Sequence, residues 1–212
     1  MLCRLLTLLL CLFCTLPVAG ETVLRVGNGP DSESLDPHRA EGAGDSRILT
    51  ALFEGLLTPD ASGRMGPGAA ERWTVSDDGL IYTFILRADG RWSDGSPVTA
   101  SNFVWSWRRA VDPATRPLFA DFLYPVLNAE EIAAGRMPPD TLGVAAPDDR
   151  TFQVRLKAPK PNFTDYLYHR ATYPVHRPSL ERHGEAFARA GNLVSNGDRK
   201  STRLNSSHLG IS

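Results

Sequence analysis

The chain has 212 residues, 42% of them hydrophobic and 22% charged, and a formal net charge of −1. This is the balance of an ordinary soluble globular protein, with enough chain for one medium core. No basic field is present to recommend a nucleic-acid partner.

Arg4, an almost unbroken apolar run from Leu5 to Leu16 and the small residues Ala19 and Gly20 predict a secretory signal peptide over residues 1–20, cut after Gly20. The run falls short of the about 20 residues that a bilayer-spanning helix needs. All three cysteines, Cys3, Cys11 and Cys14, lie in this leader, so the mature chain has neither disulfides nor thiolate chemistry. Leu10 and Phe13 stand where a lipoprotein would need small residues before its modified cysteine.

Thr22 to Val26 reads as a short strand, and Gly27 to Pro37 as a turn-rich loop. A helical pattern begins at Ser46, with Ile48, Leu49, Leu52, Phe53 and Leu56 on one face, and closes at Thr58-Pro59. Gly63 to Gly68 reads as a loop. Ile81 to Arg87 reads as a strand with apolar residues on both faces, so both faces are expected to be covered. Asp94-Gly95-Ser96-Pro97 is turn chemistry. Thr99 follows as an N-cap for a helix over 100–111 whose apolar residues are Phe103, Val104, Trp107 and Val111, and Asp112-Pro113 ends it. Trp92, Trp105 and Trp107 could stack on a ligand, but aromatics at helical spacing are more often core, the reading adopted for Trp107.

A shorter helical piece is predicted around Ala129 to Gly135, and a strand over Thr151 to Lys157 that buries Phe152, Val154 and Leu156. Asn162 is expected to cap a helix through His169, and Pro178 to start another that ends near Gly191. From Asp198 to Ser212 the hydrophobic periodicity vanishes; a disordered tail is one reading, and non-native sequence, with the chain a fragment, is the reading adopted. Helices and strands without strict alternation predict a mixed α/β (α+β) fold.

The common hydrolase, phosphate-loop and zinc-protease signatures are missing. Gly27-Asn28-Gly29 lacks the third glycine of a dinucleotide fingerprint. His169, His176 and His183 are evenly spaced, but Pro174 and Pro178 interrupt any helix that would align them for a metal. Adjacent Glu130 and Glu131 fall on a polar helix surface. No nucleophile, base and oxyanion donor assemble, so the expectation is a non-enzymatic protein without cofactor or metal.

Four strings together resemble the periplasmic oligopeptide-binding protein family, the solute-binding subunits of peptide importers. They are Ser34-Leu35-Asp36-Pro37-His38 with Glu41-Gly42 after it, Leu52-Phe53-Glu54-Gly55-Leu56-Leu57, Trp92-Ser93-Asp94-Gly95-Ser96-Pro97-Val98-Thr99-Ala100, and Asn192-Leu193-Val194-Ser195-Asn196-Gly197. They stand in the family's order across residues 24–197. One departure is Asn102, where the family usually has aspartate, which should weaken the helix-dipole contribution by a few tenths of a kcal/mol.

The resemblance implies a two-lobed periplasmic receptor in which residues 21–53 begin the first lobe, 54–177 form an inserted subdomain and 178–197 return to the first lobe. It implies capture of short peptides by a monomer that hands them to the membrane-embedded permease subunits of an ABC importer. Receptors for murein peptide, a dipeptide, a nickel complex or haem share these strings, and a fragment of a secreted hydrolase is the alternative from another class. The opposing ligand-binding lobe of family members would lie beyond residue 197. The peptide-binding residues carried over are Glu41, Gly42 and Ala43, whose backbone would pair with an extended ligand, and Phe119, at a position usually occupied by tyrosine. Core burial is the alternative for Phe119.

Overall fold

The alternation of Tyr82, Phe84 and Leu86 with Ile81, Thr83 and Ile85 produces a strand, and its partners determine which set is buried. In the computed structural model, which describes residues 34–197, this strand sits inside a four-stranded antiparallel sheet. The predicted leader, the Thr22–Val26 strand and the tail from Asp198 lie outside the described residues. The elements are α1 (Ala43–Leu52), β1 (Leu57–Pro59), β2 (Met65–Pro67), β3 (Ala70–Val75), β4 (Ile81–Leu86), α2 (Ala100–Val111), α3 (Ala129–Ala133), β5 (Val144–Ala145), β6 (Thr151–Arg155) and α4 (Arg177–His183), with short 3₁₀ turns between them. β1 and β2 form a separate hairpin, and the larger sheet has the order β3-β4-β6-β5.

Register puts Phe84 opposite Phe152 and Tyr82 opposite Val154, so the apolar residues of β4 and β6 share the inner face. The other face of β4 is not covered as the sequence suggested. Ile81 is 39% exposed, and Thr83 and Ile85 are half-buried, because the packed helices lie on the inner side. β3 was not foreseen, since Ala70–Val75 mixes apolar and charged residues; pairing with β4 makes it a strand.

α2 lies against the inner face of the sheet. Phe103 and Trp107 are fully buried and meet the Phe152 ring at 5.7 and 5.0 Å, while Trp107 Nε1 donates to the Thr172 carbonyl at 2.9 Å. Full burial of such side chains contributes about 1.5–3 kcal/mol each. The predicted limits of α2 are those observed. Thr99 holds the N-cap position, with its hydroxyl 2.8 Å from that of Ser101, and Asn102 Oδ1 accepts both the Thr99 amide at 2.8 Å and Trp92 Nε1 at 3.2 Å. Asn102 therefore keeps the acceptor that aspartate would supply. Trp92 is buried, and Trp105 is half-buried beneath the Arg177 guanidinium at 5.7 Å.

Other boundaries moved for local reasons. α1 starts at Ala43, before the predicted Ser46, because the Gly42 amide donates to the Asp45 carboxylate at 3.3 Å. It ends at Leu52, where Phe53 turns extended, so Phe53 and Leu56 are buried beyond the helix and Thr58-Pro59 belongs to β1. Gly63–Gly68 contains β2. The expected helix from Asn162 resolves into two 3₁₀ turns, 163–166 and 170–172, and the Asn162 side chain caps nothing. α4 is capped by His176 Nδ1, which accepts the Ser179 amide at 3.3 Å, and stops at Gly184, whose φ of 53° breaks the helix before a further 3₁₀ turn.

The strings singled out in the sequence bond to one another. Ser93 and Ser195 exchange hydrogen bonds: the Ser93 amide donates to the Ser195 carbonyl at 2.8 Å, and the Ser195 amide donates to Ser93 Oγ at 3.2 Å. The Asn196 amide group donates to the Glu54 carbonyl at 2.8 Å and accepts the Glu54 N–H at 3.1 Å, and the Gly197 amide reaches the Leu52 carbonyl at 2.9 Å. Gly55 passes so close to the backbone that a Cβ there would stand 2.4 Å from the Leu167 carbonyl oxygen.

Candidate functional site

The chain enters the candidate site through Leu35-Asp36-Pro37-His38. Leu35 is buried, and the Asp36 carboxylate accepts the His38 amide at 3.1 Å, closing a turn. The same carboxylate is gripped by both Arg109 nitrogens, at 3.0 and 2.6 Å, in a fork that matches its two oxygens. Arg109 Nη1 also faces His38 Nδ1 at 2.8 Å, while His38 Nε2 lies 3.1 Å from the Tyr173 carbonyl. A guanidinium only donates and a carbonyl only accepts, so His38 carries its proton on Nε2. Burial, reinforced by the Arg109 charge, lowers the His38 pKa to about 4. Burial alone would raise the pKa of Asp36, but Arg109 holds the carboxyl below its ordinary value. This cluster is structural: it staples the chain just before Glu41 onto α2.

Glu41, Gly42 and Ala43 follow as an exposed corner. Arg170 fixes it from beneath. Only 8% exposed, Arg170 donates from Nε and Nη2 to the Ala40 carbonyl at 3.2 and 3.0 Å, from Nη2 to the Glu41 carbonyl at 3.3 Å, and from Nη1 to the Ser46 hydroxyl. The Gly42 carbonyl is taken by the Ser46 amide at 3.0 Å. The Glu41 N–H has no partner among the described residues.

Phe119 is half-buried, so core burial is not its whole role. Its ring lies under the Arg170 guanidinium at 4.4 Å and meets the edges of His169 at 5.2 Å and Phe122 at 6.3 Å. The amide of neighbouring Leu118 donates to the His38 carbonyl at 3.1 Å. The structure thus brings the Glu41–Ala43 corner and Phe119 to one guanidinium. Arg170 carried no signal in the sequence, because its partners are backbone carbonyls 130 positions away.

His169 stacks on Phe122 at 3.6 Å and its Nδ1 accepts the Ala171 amide at 3.2 Å, so it caps the turn that carries Arg170. Burial first, then the Arg170 charge, lowers its pKa to about 4. His176 caps α4 through its Nδ1. Glu130 and Glu131 are surface residues paired with Lys157 and Arg136. What the corner can do chemically is pair its backbone with an extended chain beside an aromatic ring.

Residues 64–204 match the family described as bacterial extracellular solute-binding proteins, family 5 Middle, and the chain belongs to that family. Among its relatives, the periplasmic oligopeptide-binding protein OppA of Escherichia coli K12 is 45% identical over 179 residues, 84% of this chain and 33% of that protein. The periplasmic murein peptide-binding protein MppA of the same organism is 42% identical over 166 residues, 77% of this chain and 30% of that one. The crystal structure of Haemophilus influenzae OppA in complex with RPPGFSPFR superposes with a TM-score of 0.77 at 42% identity, covering 80% of this chain and 34% of that one. The chain therefore spans about a third of the length of these relatives.

Proposed function

We propose that this chain supplies one wall of a periplasmic receptor that captures short peptides and delivers them, without chemical conversion, to the permease subunits of an ABC importer. The observation that carries the reading is the exposed Glu41–Gly42–Ala43 backbone beside Phe119, both held by one buried arginine. Recognition through main-chain groups ignores side chains, which suits a receptor for many peptides. In this reading the protein is a secreted monomer, residues 21–53 and 178–197 belong to one lobe with 54–177 inserted between them, and closure of the two lobes signals the transporter.

Isothermal calorimetry on the gene product that carries this sequence, with trialanine as ligand, tests it. The expected result is a Kd of about 1 μM or tighter, equivalent to about −8 kcal/mol. Failure of trialanine and of tetra- and pentaalanine to bind at millimolar concentration would overturn the proposal.

A further inference from the structure

We propose that Arg170 is a positioning residue for peptide capture: it sets the orientation of the Ala40–Glu41 backbone and of the Phe119 ring in a single arrangement. The inference rests on the reading of Glu41–Ala43 and Phe119 as a peptide wall.

The geometry is that of a planar fork that both donates hydrogen bonds and stands over an aromatic ring. Its nitrogens carry the bonds to the Ala40 and Glu41 carbonyls and the Ser46 hydroxyl, and its Cζ lies over the Phe119 ring, 4.4 Å from the centre. The position of the fork is itself determined. Arg170 opens the 170–172 turn, His169 caps that turn, and the His169 ring is held flat on Phe122 at 3.6 Å. The Phe119 and Phe122 rings meet edge to face, so the chain of contacts closes on itself.

Arg170 also decides which groups the corner can offer a ligand. It occupies the Ala40 carbonyl twice, at a residue only 1% exposed, and so removes that acceptor from reach of a ligand. At Glu41 it takes one lone pair, at 3.3 Å, and leaves the second together with the N–H, which has no partner among the described residues. One residue with a donor and an acceptor available is the pairing unit of a β-ladder. Lysine could not reproduce this arrangement, because an ammonium is a point donor without a planar face.

The test compares Arg170→Lys, Glu41→Pro and Phe84→Leu in the gene product that carries this sequence. Trialanine affinity is read by calorimetry at a temperature where circular dichroism shows every variant folded. Arg170→Lys is expected to weaken binding about tenfold. Glu41→Pro, which deletes the Glu41 N–H, should weaken it comparably. Phe84→Leu, at a fully buried sheet residue, should lower the melting temperature and leave the Kd unchanged, which separates lost stability from lost positioning. If Glu41→Pro weakens binding while Arg170→Lys leaves it at the wild-type value, the role of Arg170 is overturned and the peptide wall stands. If Glu41→Pro has no effect, the wall itself is refuted and this inference falls with it. Should Arg170→Lys fail to fold, Phe119→Leu takes its place: it keeps an apolar side chain but removes the ring beneath the guanidinium, and an unchanged Kd would overturn the proposal.

Discussion

Replacing Arg109 with methionine isolates the strongest electrostatic feature of the described residues. The substitution keeps the apolar stem of the side chain and removes the fork. Among the described residues, Asp36, whose side chain is 5% exposed, would then keep only the His38 amide at 3.1 Å as a donor. Breaking one side of a buried ion pair costs about 3–5 kcal/mol, and the 13% exposure of the Arg109 side chain places this case near the lower end. The pH dependence gives the sharper signature. In the wild type the folded-state pKa of Asp36 is lowered, so its contribution is present above the unfolded value of 3.8 and is lost as pH falls through the folded value. In Arg109→Met burial is opposed only by His38 and raises the folded pKa above the unfolded one. The penalty is then absent at low pH and grows as pH rises.

Losing the Arg109 charge also lets the His38 pKa climb from about 4, which acts in the same direction. The variant should therefore be about 3 kcal/mol less stable than wild type at pH 7, with a gap that narrows toward pH 4. Urea unfolding followed by tryptophan fluorescence, with linear extrapolation, measures both values. Adding Asp36→Asn to Arg109→Met should restore about 1–2 kcal/mol at pH 7, since no charge is then left buried. A cost below about 1 kcal/mol at pH 7, an equal cost at both pH values, or no recovery in the double variant would refute the reasoning.

Gly55→Ala should destabilise the protein by about 2–3 kcal/mol, because the new methyl would meet the Leu167 carbonyl oxygen at 2.4 Å and the Tyr173 ring at 3.2 Å; a melting temperature within about 2 °C of wild type would contradict it. His38 is buried neutral, with a folded pKa of about 4 against an ordinary 6.5, so its contribution is whole above pH 6.5 and is lost as pH falls toward 4, about 3 kcal/mol in all. An NMR titration of the His38 ring should show the depressed pKa, and a midpoint near 6.5 would refute the buried Arg109–His38 contact.

Much of the scaffold was legible in the sequence because it depends on near neighbours. The limits of α2 follow from an apolar stripe of Phe103, Trp107 and Val111 bounded by Thr99 and Asp112-Pro113. β4 and β6 announce themselves by alternation. β3 did not, because Ala70-Glu71-Arg72-Trp73-Thr74-Val75 has no clean period, and hydrogen bonding to β4 makes it a strand. Asn162 read as a cap by residue type alone, whereas the segment that follows forms only 3₁₀ turns. At the candidate site, Glu41, Gly42, Ala43 and Phe119 could be named from a resemblance, but the residue that joins them could not.

The sequence by itself determined the elements whose side-chain period is local, the turn at Asp94-Gly95 and the strings that mark the family. Only the tertiary structure decided that those strings bond to one another, through Ser93 with Ser195 and Glu54 with Asn196, and that Arg170 gathers the corner at Glu41 and the ring of Phe119. The reason is physical. Periodicity and capping are set by residues within a turn or two of each other, while a guanidinium reaching a backbone carbonyl 130 residues away depends on where the folded chain crosses itself.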